Sequence, residues 1–262
     1  MDCFRAFRVQ IANCVSYLLL FVITSAFFVT PLLAQQQGLI YDNGAFINAP
    51  GQGPGGADAS VSPISDGIWG VPAAEYYGAR VADDFTIPAG QTWTISSARF
   101  FLYYFGTTNS LFTGMSLRIW DGSPESSNSQ IIWGNTTANV MSDSAFTGTY
   151  FYAAAQPNTI DSIFSVDANV NITLSAGTYW LDWSTSLSNY DGGDPQQLLV
   201  PPDFQTETDA LWMPSPPEWG GIGEQYPFQI YGTAVPEPTT LMLAVLSGVS
   251  LMLFRCRKSR PI

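Results

Sequence analysis

The sequence predicts an all-β protein, a jelly-roll-like β-sandwich, with a signal peptide ahead of it and a short transmembrane helix behind it. Three observations predict it. First, apolar and polar residues alternate with the period of two that a half-buried strand requires. Met115, Leu117 and Ile119 stand against Ser116, Arg118 and Trp120, and Val170, Ile172 and Leu174 against Asn169, Asn171 and Thr173. Second, turn-forming clusters such as Asp121-Gly122-Ser123-Pro124 and Ser175-Ala176-Gly177 follow these runs. Third, nothing between residues 35 and 234 sustains an i, i+3, i+4 apolar pattern, and strong helix formers are scarce there. Many short strands without an internal repeat point to a sandwich rather than a propeller or solenoid.

Residues 1–34 read as a secretory signal peptide. Arg5 and Arg8 form a basic start, residues 15–29 an apolar core, and Leu32-Leu33-Ala34 places a small residue before Gln35. The expected cut by signal peptidase lies between Ala34 and Gln35. A core of about fifteen residues is short for a membrane span.

Residues 35–234 form the expected extracytoplasmic domain. Leu39-Ile40-Tyr41-Asp42 reads as a strand ending in the turn Asn43-Gly44. The Gly- and Pro-rich residues 50–67 read as a surface loop. Residues 81–87 read as a strand stopped by Pro88-Ala89-Gly90, after which Trp93 and Ile95 alternate with Thr94 and Ser96. Residues 100–105 are apolar on both faces, as a centrally placed strand would be. Residues 178–183 put Tyr179, Leu181 and Trp183 on one face and Trp180 and Asp182 on the other. A Pro-rich loop over residues 205–230 leads to the closing strand Phe228-Gln229-Ile230-Tyr231.

Composition excludes much chemistry. The chain has no histidine, and Cys3, Cys14 and Cys256 all lie outside residues 35–234. A Ser-His-Asp triad, a Cys-His pair, a His or Cys zinc site and a disulfide in the domain are therefore excluded. Arg80, Arg99 and Arg118 are the basic residues of the domain, set against nineteen carboxylates, a net charge of −16. Such a field repels nucleic acid and suits solubility or bound cations. Little conventional catalysis remains, and the expectation is that the protein is not an enzyme.

Three residue classes remain as candidates. Asp83, Asp84, Asp121, Asp191 and Asp194 offer oxygen ligands for a structural Ca²⁺, although Asp beside Gly is also what a tight turn selects. Glu75, Glu125, Glu207, Glu218 and Glu224 are the glutamates available to a carboxylate-pair glycosidase, the common hydrolytic mechanism needing neither His nor Cys. Among the tryptophans, Trp93 and Trp183 share faces with core residues. Trp120 and Trp180 point the other way, and Trp212 and Trp219 sit in the Pro-rich loop. These four are the candidates for glycan contact, against the alternative of a second sheet packed over them.

Residues 235–262 carry Val235-Pro236-Glu237-Pro238, an apolar run over residues 241–254, and then Arg255, Arg257 and Lys258. The two prolines are expected to keep the tripeptide out of helix and sheet. The fourteen apolar residues would form a helix of about 21 Å, short of the roughly 30 Å hydrocarbon core, with the basic cluster snorkelling to headgroups on the cytoplasmic side. This order of parts resembles the PEP-CTERM sorting signal of Gram-negative bacteria. The resemblance implies that Pro236, Glu237 and Pro238 are the recognition tripeptide for exosortase, a membrane-embedded cysteine transpeptidase-like protein. It further implies that residues 241–254 are a transient membrane anchor and that Arg255, Arg257 and Lys258 are the stop signal.

Within the domain, Val81-Ala82-Asp83-Asp84-Phe85, Leu117-Arg118-Ile119-Trp120-Asp121-Gly122, Ile132-Trp133-Gly134, the run Ala176-Gly177-Thr178-Tyr179-Trp180-Leu181-Asp182-Trp183 and Phe228-Gln229-Ile230-Tyr231-Gly232 resemble an exported bacterial β domain often found ahead of such tags. That resemblance implies architecture and no activity. The resulting expectation is an exported protein, membrane-anchored as a precursor and then displayed on the cell surface or in the extracellular matrix, structural or adhesive in role. A carbohydrate-binding module for extracellular polysaccharide is the alternative, and a carboxylate-pair glycosidase a further one.

Overall fold

The computed structural model describes residues 38–62, 70–153, 160–189 and 193–236. The signal peptide, with Ala34 and Gln35, and the tail from Glu237 onward lie outside them. Residues Gln37–Ala234 form one compact unit. Among the described residues the architecture is all-β and consistent with a β-sandwich; its helical parts are single 3₁₀ turns at Pro54–Gly56, Glu75–Tyr77 and Pro202–Phe204.

Two long strands organise it, β4 (Arg80–Phe105) and β8 (Asp161–Leu187), which run antiparallel along nearly their whole length, from Val81 opposite Trp183 to Phe105 opposite Asp161. The other strands attach to this ribbon in two groups. Beside residues 80–87 and 177–187 lie β5 (Phe112–Trp120), which pairs with β8, and β10 (Leu211–Met213), which pairs with β4. β6 (Ile131–Gly134) pairs with β5, and β11 (Gly220–Gly221) with β10. The other half of the ribbon carries β7 (Met141–Ala153) on β8 and β9 (Gln196–Gln197) on β4. There β2 (Ala59–Ser62) joins β7 in parallel, and β3 (Val71–Pro72) joins β9. The final strand β12 (Phe228–Pro236) lies between β1 (Gly38–Asp42) and β4.

Strict alternation sorts the ribbon's side chains onto two faces. One face supplies the main core, with Phe85, Phe100, Leu102, Leu117, Phe164, Leu181, Trp183 and Phe228. Phe100 and Trp183 meet with ring centroids 4.5 Å apart, an arrangement that contributes about 0.5–1.5 kcal/mol beyond buried area. The opposite face builds two smaller clusters, Phe101, Tyr103, Phe151, Ile163 and Leu198 on one half, and Ala82, Trp180 and Leu211 on the other. The doubly apolar run is thus explained for residues 100–104, which pack on both faces, whereas Phe105 at the strand end is exposed. A polar seam joins β1, β4 and the start of β12. Asn43 donates to Asp83 Oδ2 at 2.9 Å, the Tyr226 amide donates to the same oxygen at 2.8 Å, and Gln225 donates to Asn43 at 3.1 Å.

Four sequence expectations need correction. Pro88-Ala89-Gly90 and Ser175-Ala176-Gly177 do not end their strands: the two sites lie opposite each other, and the chain passes through both as a register shift in the ribbon between Ile87 and Thr92. The expected loop at 50–67 contains β2, because the polar Ser60 and Ser62 hid a short edge strand. The expected Pro-rich loop contains β10 and β11. Pro236 is the last residue of β12 rather than outside the sheet, a place proline tolerates because no further ladder donor is needed there.

Candidate functional site

Strand alternation assembles an unusual polar patch on the outer face of β5 and β8. Because Leu181 and Trp183 face the core, Asp182 faces away, between Ala82 of β4 and Arg118 of β5 in the pairing register. The Asp182 side chain is fully buried and charged, so it must be paired or it would not be tolerated. Arg80 Nε donates to its Oδ1, and Arg118 Nε at 2.6 Å and Trp120 Nε1 at 2.9 Å donate to its Oδ2. Arg80 also reaches Ser116 Oγ at 2.8 Å and the Asp182 carbonyl at 3.0 Å. The Arg118 guanidinium sits 5.0 Å from the Trp120 ring centre, within cation–π range. Burial lowers the Arg118 pKa from its usual value. Two guanidiniums thus share one carboxylate, leaving a local positive excess in a strongly acidic domain.

Above this patch opens a cleft of about 660 Å³. Its floor includes Arg80, Arg118 and Ser184, and its walls include Trp120, Trp219 and Glu75. Pro216 and Pro217, joined by a cis peptide, also border it. Trp219 packs beside Trp120 against the small cluster of Ala82, Trp180 and Leu211, which fixes both indoles from behind. Tyr76 and Tyr77, 71% and 54% exposed, lie in sequence between the cleft residues Glu75 and Gly78 and meet edge to face at 4.8 Å. Two rigid aromatic walls, a charged fork and a carboxylate make a surface suited to a flat, hydroxyl-rich ligand.

The sequence-derived tryptophans therefore divide. Trp120 and Trp219 come together at the cleft. Trp180 is a correction: it is 7% exposed, covered by Leu211 of β10, so it supports the wall instead of presenting a face. Trp212 is half-buried against the main core and donates to the Pro72 carbonyl at 3.1 Å. Trp93 and Trp183 are buried as expected. Arg80, Arg118 and Asp182 are not among the sequence-derived candidates, although the sequence holds a signal: Asp182 is the lone charge inside Tyr179-Trp180-Leu181-Asp182-Trp183.

The candidate metal ligands do not converge on one point. Asp83 and Asp84 meet Asp209, with carboxylate oxygens within 4.8 Å of one another. Asp83 is already occupied, accepting from Asn43 and Tyr226 on Oδ2 and from the Asp84 amide at 3.0 Å on Oδ1. Burial raises its pKa well above the carboxylate range. Asp84 is pushed up to about 7 by burial, by the charges of Asp209 and Glu207, and by a hydrogen bond with Glu207. The Asp83 carboxyl is thus already held by three of the chain's own donors, two on Oδ2 and one on Oδ1. Asp121 accepts from the Gln130 amide at 2.6 Å across the β5–β6 connection, the turn role. Asp194 lies elsewhere, in a pit with Asp161. Asp191 lies outside the described residues.

Of the glutamates, Glu75 lines the cleft and accepts from Ser186 Oγ, while Glu224 accepts from Gln205. Pro236 ends β12; Glu237, Pro238, Arg255, Arg257 and Lys258 lie outside the described residues. Neither the scan against protein-family models nor the search of curated proteins finds a match for this chain.

Proposed function

We propose that this is an exported, surface-displayed adhesive protein, a jelly-roll-like domain that holds extracellular polysaccharide in the cleft between Trp120 and Trp219. The observation that carries the reading is that cleft itself, with two half-buried indoles flanking Arg118 above the buried Asp182. Aromatic faces stack on the apolar faces of sugar rings, while the guanidinium and Glu75 supply directional hydrogen bonds to hydroxyls, the division of labour that small-ligand sites use. In this reading signal peptidase removes residues 1–34, and residues 235–262 act as a PEP-CTERM-type signal, a transient membrane anchor handed to an exosortase-like protein. The domain is then left at the cell surface or in the matrix.

The test is retention of the full-length protein, purified in detergent, on immobilised bacterial polysaccharides and on a glycan array. Binding that Trp219→Ala and Trp120→Ala each weaken about tenfold or more, with the fold intact by circular dichroism, supports the reading. A folded protein that binds no glycan overturns it.

A further inference from the structure

A second pit, of about 300 Å³, lies where the end of β4 meets the start of β8. Tyr103, Tyr104, Asp161, Asp194 and Gln196 line it. Asp161 is 6% exposed and opens β8, opposite Phe105 on one side and Phe151 on the other. Its Oδ1 and the Oδ1 of Asp194 are both buried with no hydrogen-bond partner among the described residues. A carboxylate oxygen withdrawn from water without a donor is costly, and native structures supply a proton, a water or an ion.

No side-chain cation is at hand. Of the domain's three arginines, Arg80 and Arg118 are committed to Asp182 and Arg99 to Asp167, and the domain has neither lysine nor histidine. Among the described residues, no side-chain cation supplies a counter-charge for this pit. We propose that Asp161 and Asp194 form a Ca²⁺ site, with the Gln196 amide oxygen and water completing the shell.

The donor set favours that ion. It is all oxygen, with no nitrogen or sulfur ligand to select zinc or copper. Ca²⁺ takes 6–8 oxygens in flexible geometry, and extracellular modules bind it at roughly 10⁻⁴–10⁻³ M, an affinity suited to two carboxylates. The volume accommodates an ion and several waters at about 30 Å³ each. Burial pushes the Asp161 carboxyl up to about 6 and also raises Asp194, the desolvation that a bound cation would offset. The site stitches the start of β8 to the residues that precede β9, a stabilising role separate from the polysaccharide cleft.

The experiment uses the full-length protein in detergent, stripped with EDTA, with Tb³⁺ and then Ca²⁺ alone as probes. Tyrosine-sensitised Tb³⁺ emission is expected, with Tyr103 and Tyr104 in the pit as donors, and millimolar Ca²⁺ should extinguish it. Asp161→Asn and Asp194→Asn should each weaken Ca²⁺ competition at least tenfold, while Asp209→Asn in the other acidic cluster leaves it unchanged. If Asp161→Asn does not fold, Asp194→Asn, on a partly exposed connection, decides the matter alone. Wild-type affinity in folded Asp194→Asn, or absence of binding by wild type at 10 mM Ca²⁺, about ten times the weak limit expected, overturns the site.

Discussion

Asp182 Oδ2 receives the Trp120 indole N–H at 2.9 Å, and the same oxygen receives Arg118, whose guanidinium faces the Trp120 ring. One buried carboxylate thereby sets the orientation of both the aromatic wall and the cation of the cleft. Replacing it by alanine leaves two guanidiniums uncompensated, and breaking one partner out of a buried pair costs roughly 3–5 kcal/mol. Asp182→Ala should therefore lower the unfolding free energy by that amount, read as a fall in the urea midpoint, and abolish polysaccharide retention. An unchanged midpoint would show that the arginines find other partners.

The tryptophans give a contrast within one class of substitution. Trp219→Ala removes a cleft wall with little core behind it, so it should weaken glycan binding about tenfold or more, roughly 1.4 kcal/mol, and shift the melting midpoint slightly. Trp212→Ala removes a ring packed on the main core and its bond to Pro72, and should cost a few kcal/mol of stability, below the roughly 3–5 typical of full burial. Its glycan affinity should stay close to wild type once the protein is folded. Affinity columns run beside thermal melts separate the two effects.

Trp180 shows where sequence stops being informative. Alternation in residues 115–119 and 170–174 is local, and it correctly assigns Leu117, Ile119, Val170 and Leu174 to the core. Alternation also says which way Trp180 points, but not what covers that face. The cover is Leu211 of β10, far from Trp180 in sequence, and the three-residue length of that strand carries no periodic signal. The same limit hid β7, rich in Ser and Thr, and the continuity of β4 through Pro88-Ala89-Gly90, which depends on pairing with one partner on both sides of the bend. The Arg80–Asp182–Arg118 group joins three strands, so its charge balance exists only in three dimensions.

The acidic cluster around Asp84 predicts an unusual pH profile. Its folded-state pKa of about 7 stands above the roughly 3.9 of an unfolded aspartate, so between these values the native state holds a proton that the unfolded chain has released. The stabilisation is complete near pH 4 and is lost as pH rises to about 7. Asp161, at about 6, adds a contribution of the same sign that ends earlier. In calcium-free buffer the protein should be more stable at pH 5 than at pH 8, each tenfold difference in proton affinity being worth about 1.4 kcal/mol at most. Asp84→Asn should flatten this slope and raise stability at pH 8. A denaturant midpoint that rises steadily from pH 4 to 8 would contradict the assignment.

The boundary between domain and tail can be cut with precision, because β12 ends at Pro236 and lies between β1 and β4. A chain stopped after Pro236 keeps every described strand, and one stopped after residue 227 loses β12 with Phe228 and Ile230, both fully buried. The first truncation should melt as the full-length protein does and escape into the medium, since the apolar run and Arg255, Arg257 and Lys258 are gone. The second should not fold, because burying those two side chains is worth about 1.5–3 kcal/mol each and marginal domains have little to spare. Glu237→Ala, which lies one residue past the strand, should leave the melt unchanged and block processing in cells. Fractionation and immunoblotting read the processing, and a processed, surface-retained Glu237→Ala protein would separate the tripeptide from the sorting role proposed for it.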